Sequence, residues 1–130
     1  MNTINASIQL IPVHTKEHPY DWVDQAIEVI ENNIRDTLFS VDKMAEELGM
    51  SRTNLHRKMK ALTGFPPSEL IRNIRLRKAA ELLLNKSDTI SQICFAVGFE
   101  DHSYFSKSFK KQFGVPPSEY HDSAVSQLLN

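Results

Sequence analysis

The feature that most limits what this chain can become is a repeat within it. The segment Gly64-Phe-Pro-Pro-Ser-Glu69 returns as Gly114-Val-Pro-Pro-Ser-Glu119, an offset of 50. Upstream, Val41/Ile90, Met44/Ile93, Ala45/Cys94, Leu48/Val97, Gly49/Gly98 and Met50/Phe99 pair in character at an offset of 49, so one residue has been inserted between the two blocks. All four glycines of the chain fall in these registers, and four of its six prolines form the two Pro-Pro pairs. Self-similarity of this kind means one supersecondary unit used twice, and any fold proposed for the chain must accommodate both copies.

Hydrophobic spacing makes that unit helical. Trp22, Ala26, Val29, Ile30 and Ile34 recur at helical intervals and predict a first helix over about 22–35. Ser40 is a good N-cap for a short helix ending at Gly49, with Phe39 and Met44 placed as a hydrophobic staple. Ser51 caps a helix over about 52–62 that Gly64 closes, and Pro67 suits the first turn of a long helix running to about Leu84. Thr89-x-x-Gln92 has the form of a capping box, a further helix runs from about Asp101 to Phe113, and Pro117 opens the last. No segment alternates with a period of two. The expected class is all-α, about seven helices in two helix-turn-helix subdomains, over 40–63 and 89–114, joined by a linker helix over 67–84. The domain is expected to span 21–125, and residues 1–20, with two prolines and no sustained period, read as an arm or interdomain linker.

In a helix-turn-helix the first helix braces and the second enters the major groove. A small residue on the bracing helix, Ala45 or Cys94, lets the second pack closely, so Cys94 is read as a small buried apolar residue rather than a nucleophile or ligand. Along 52–62, Leu55, Met59 and Leu62 form the inner stripe, leaving Thr53, His56, Arg57 and Lys60 outside with Arg52 at the start. In the second copy Phe105, Phe109 and Phe113 lie inside, and His102, Ser103, Ser106, Lys107 and Lys110 outside. No acidic residue lies on either outer face beyond the Glu100-Asp101 start. Arg pairs with guanine, Ser and Thr adapt to several bases, and Lys serves base or phosphate. The expected base-contacting set is Thr53, His56, Arg57, His102, Ser103, Ser106 and Lys107. Arg52, Lys58, Lys60, Lys110 and Lys111 are expected on the DNA backbone, where they set register rather than sequence.

Charge agrees with this division. Residues 1–50 hold three basic and nine acidic side chains, whereas 51–111 hold twelve basic and five acidic. A net charge of −1 therefore conceals a basic middle, the footprint of a polyanion partner. The linker helix of 18 residues would span roughly 27 Å, slightly inside the ~34 Å between successive major grooves, so modest DNA bending is expected. On it, Arg72, Arg75, Arg77 and Lys78 either touch the backbone or are solvated.

Other functions lack their chemistry. Every glycine is used as a helix stop, so no phosphate-binding loop exists, and the five histidines are scattered. His14 and His18 lie four apart with no further ligand pair nearby, so no zinc site, cofactor or enzyme activity is expected. Trp22 and the Phe stripe are read as core fillers. The single cysteine permits no internal disulfide, and the longest apolar run, Ile93–Phe99, is too short to span a membrane. The first residues lack a basic leader and a long apolar core, so no secretory signal is expected and the chain is placed in the cytoplasm. A protein-interaction bundle would account for the fold and repeat but not for two acid-free outer faces.

Three stretches, Ser40–Lys60, Ile71–Ala79 and Ile90–Lys110 with Gly114-x-Pro-Pro-x-x-Tyr120, closely resemble the AraC/XylS-type DNA-binding domain, over roughly residues 22–121. The resemblance implies sequence-specific binding of double-stranded DNA and transcriptional control, usually activation through RNA polymerase. The acidic first helix and the arm before it are similar to the C-terminal output segment of hybrid two-component regulators. That likeness implies a receiver or sensor domain in a longer parent chain, with a free-standing small regulator as the alternative.

Overall fold

The computed structural model describes residues 19–129. Among them it holds seven helices and no strand: α1 Pro19–Asn32, α2 Val41–Glu47, α3 Arg52–Thr63, α4 Pro67–Asn85, α5 Ile90–Ala96, α6 His102–Phe113 and α7 Pro117–Leu129. The all-α expectation is met. The arm expected over 1–20, with His14 and His18, lies outside the described residues except for Pro19 and Tyr20, which open α1. Proline fits a first helical turn, where its missing N–H would have had no partner. At the other end α1 stops at Asn32 rather than 35, because Asn33 tightens the chain by donating its backbone N–H to Ile30 O at 3.1 Å.

The described residues divide into two compact units, 19–33 with 39–71, and 34–38 with 72–129. In the first unit α1 packs on α2 and α3, and α2 on α3. The buried stripe of α1 is Val23, Ala26, Ile27 and Ile30; of the expected residues Ala26 and Ile30 are in it, whereas Trp22, Val29 and Ile34 are half-buried. Trp22 is only half-buried and is not part of the core. Met44, Ala45, Leu55, Met59 and Leu70 complete the interior, with Phe39 buried at the staple position. Fully burying a side chain of this size contributes about 1.5–3 kcal/mol, so this apolar seam rather than helix propensity holds the seven-residue α2 in place.

The second unit is built on Leu76, Ala79, Ala80 and Leu83 of α4, Ile93, Cys94 and Val97 around α5, and Phe99, Phe105 and Phe109, with Ile34, Phe113 and Tyr120 packed against them. Its aromatic rings run in sequence: Phe99 to Phe105 at 5.2 Å, Phe105 to Phe109 at 6.0 Å, Phe109 to Tyr120 at 5.3 Å between centroids. Tilted rings at such distances add about 0.5–1.5 kcal/mol per pair beyond their buried area.

Both copies turn in the same way. Met50 N–H donates to Ala45 O and Gly49 N–H to Glu46 O; Phe99 N–H donates to Cys94 O and Gly98 N–H to Phe95 O. These paired bonds close a helix end through a left-handed residue. Ser51 and Asp101 then cap α3 and α6 from side chain to backbone N–H. The turns match at offset 49 and the caps at offset 50, so the inserted residue is Glu100.

Gly98 carries a requirement its counterpart does not. Both glycines have positive φ, +68° at Gly49 and +90° at Gly98, but a Cβ at Gly49 meets nothing within 4 Å. At Gly98 it would overlap the guanidinium of Arg75 and the carbonyl oxygen of Ile34.

Arg75 is neither solvated nor turned to an exterior surface. It is 5% exposed, and its Nη1 donates to Ile34 O and to Val97 O, each at 2.7 Å, while Nη2 donates to Asp36 O at 3.0 Å. Burial lowers its pKa from the ordinary arginine value, the Asp36 carboxylate opposing, and arginine stays charged regardless. Of the other basic residues expected on this helix, Arg72 and Arg77 are half-buried, and exposed Lys78 lies 3.5 Å from Glu81 Oε2.

Candidate nucleic-acid interface

In each unit the candidate surface is the side of the second helix that the core leaves uncovered. α3 buries Leu55 and Met59, and Thr53, His56, Arg57 and Lys60 are exposed. α6 buries Phe105 and Phe109, and His102, Ser103, Lys107, Lys110 and Lys111 are exposed, with Ser106 half-buried. Since both helices begin one residue after their caps, the offset of 50 aligns their surfaces position by position. Thr53 corresponds to Ser103, His56 to Ser106, Arg57 to Lys107 and Lys60 to Lys110. Each unit thus presents a hydroxyl in its first turn, a small polar or imidazole group one turn on, a cation beside it and a second cation one turn further.

The alignment also separates residues that the charge pattern groups together. Lys58 and Lys111 have no basic counterpart; Ser108 and Ala61 stand in their places. Lys58 Nζ lies 4.6 Å from the centroid of the Trp22 ring, so its charge is turned toward α1. Such a contact contributes about 0.5–1 kcal/mol at an exposed site. Arg52, at the head of α3, donates Nη1 to Asp42 Oδ1 of α2 at 2.8 Å. Among the described residues no hydrogen bond or ion pair engages the side chains of Arg57, Lys60, Lys107, Lys110 or Lys111. Two exposed side chains absent from the expected set share the third position of their helices, Asn54 and Tyr104; the Tyr104 ring leans on Phe99 at 5.9 Å. The offset of 50 would have brought this pair to notice.

The supporting groups are quiet chemically. Cys94 is buried, its thiol donates to Phe99 O at 3.7 Å, and burial, with Asp101 adding to it, raises its pKa. No helix among the described residues is long and apolar enough to cross a membrane.

A scaffold of this kind, a capped second helix held by a glycine turn against a bracing helix, is a helix-turn-helix, and the family model for the helix-turn-helix domain matches residues 44–123. The chain is 34% identical to a transcriptional regulator of Chromobacterium violaceum described as an AraC-type DNA-binding domain-containing protein, covering 75% of this chain and 86% of that one with a TM-score of 0.69. It belongs to the AraC-type DNA-binding domains. The C-terminal domain of AraT, a response regulator from Geobacillus stearothermophilus, is similar at 35% identity and a TM-score of 0.72, over 78% of this chain and 84% of that one. Histidine kinase P4 of Formosa agariphila is 45% identical over 104 residues, which is 80% of this chain but 8% of that protein. The chain spans 8% to 39% of the length of the curated relatives it matches, several of them named as transcription activators.

Proposed function

We propose that this chain is the output domain of a signal-responsive transcription activator, reading double-stranded DNA with α3 and α6 in successive major grooves. The observation that carries the reading is that both copies of the unit leave a polar and cationic face outside the core, Thr53, His56 and Arg57 on α3 and Ser103, half-buried Ser106 and Lys107 on α6. Thr53, His56, Arg57, His102, Ser103, Ser106 and Lys107 read base edges in this proposal, and Lys60, Lys110 and Lys111 hold phosphates. The linker α4 is one uninterrupted helix of 19 residues.

Likeness to a response-regulator C-terminal domain, and to a small part of a histidine kinase, supports a place at the end of a two-component regulator. Its partners are then DNA, RNA polymerase and a receiver or sensor domain, met in the cytoplasm. Selection from random duplexes, followed by affinity across a salt series, tests the DNA reading. Log affinity should fall with log salt by about 0.9 per phosphate neutralised. Arg57→Ala is expected to cost about 1–3 kcal/mol on the selected site and to relax preference at one base, and Lys111→Ala to weaken all sequences alike. Equal losses on selected and random duplexes for Arg57→Ala would remove the base-contact assignment.

A further inference from the structure

We propose that Asp42 is an intramolecular competitor for the DNA backbone, holding the Arg52 guanidinium in the free protein and yielding it to a phosphate on binding. The inference rests on the DNA-binding reading above and adds a residue that neither the charge pattern nor the helix faces single out. Arg52 is the first residue of α3, directly after the Ser51 cap, at the head of the recognition helix where backbone N–H groups already favour an anion. Its Nη1 is 2.8 Å from Asp42 Oδ1, and the two side chains are 64% and 71% exposed.

Exposure decides the energetics. An ion pair in water is weak, whereas a phosphate offers the guanidinium paired oxygens within a dense array of charge, so the exchange runs toward DNA. It still costs the pair, and it leaves a carboxylate facing a polyanion. Asp42 therefore lowers affinity for every sequence alike. The device is confined to the first unit, since the positions equivalent to Asp42 and Arg52 are Ser91 and His102.

The test uses the whole chain, with fluorescence anisotropy on a selected duplex and a random one between about 50 and 200 mM salt. Asp42→Asn is expected to tighten binding to both about 1.4- to fivefold, the range an exposed pair spans. Arg52→Gln should weaken both and make the log–log slope shallower by about 0.9. In the Arg52→Gln background, Asp42→Asn should yield less than half of its gain. That comparison cancels any change in α2 itself, where Asp42 sits in the first turn. No gain for Asp42→Asn, or a loss, would overturn the proposal, and so would an equal gain in both backgrounds, which marks general repulsion rather than exchange. Absence of salt-sensitive duplex binding by the unaltered chain would instead remove the DNA-binding reading, and this inference with it.

Discussion

Replacing Arg75 with Met keeps most of the buried stem and removes all three hydrogen bonds, so the outcome depends on the acceptors left behind. Val97 O is the most enclosed and loses a charge-assisted bond of about 1.5–3 kcal/mol. Ile34 O and Asp36 O are part-buried, so water can replace some of what they lose, at about 0.5–1 kcal/mol each. Against this stands the relief of no longer burying a guanidinium, whose desolvation already lowers its pKa. The net expectation for Arg75→Met is about 2–4 kcal/mol of lost stability, or about 8–16 °C in thermal midpoint at about 4 °C per kcal/mol. Arg75→Lys should recover only part, because a single ammonium cannot serve carbonyls reached by two nitrogens of a planar fork. Urea unfolding followed by far-ultraviolet circular dichroism measures the loss, and the salt slope of duplex binding, taken where each variant is folded, should not move. Stability within about 0.5 kcal/mol of the unaltered chain, with a shallower salt slope, would refute the argument and put Arg75 on the DNA backbone.

Two further outcomes follow from the same packing. Gly98→Ala should destabilise by more than about 3 kcal/mol, since the added methyl meets both Arg75 and the Ile34 carbonyl, whereas Gly49→Ala incurs only the backbone strain of about 1–2 kcal/mol. Equal losses in urea melts of the two variants would contradict the crowding seen at Gly98. Cys94, whose thiol is buried and held in the neutral form by its raised pKa, should react with a disulfide reagent at neutral pH only as fast as the second unit opens. Labelling at the rate of an exposed cysteine in native buffer would show the site to be open.

Much of the architecture is legible in the sequence. The caps at Ser40, Ser51 and Thr89 and the stops at Gly64 and Gly114 lie where local rules place them, because each depends on neighbours within one or two turns; of the inner stripes Leu55, Met59, Phe105 and Phe109 are buried and the last members, Leu62 and Phe113, half-buried. The first helix is less legible. Trp22 and Val23 are adjacent, and choosing which faces inward needs the surface of α2 and α3 that the helix packs on. The charge count misled in a similar way: Arg75 adds to the basic middle on paper, yet its guanidinium is spent on three carbonyls.

Repetition, capping and the alternation of apolar and cationic faces are written into the chain itself, because a helix sorts its own residues by angle and its ends by the groups next to them. Which cations remain available for a partner was settled only when distant segments met: Asp42 came against Arg52, Trp22 against Lys58, and the carbonyls of 34, 36 and 97 around Arg75. Charge acts through space and burial depends on everything packed around a group, so neither can be read from its place along the sequence.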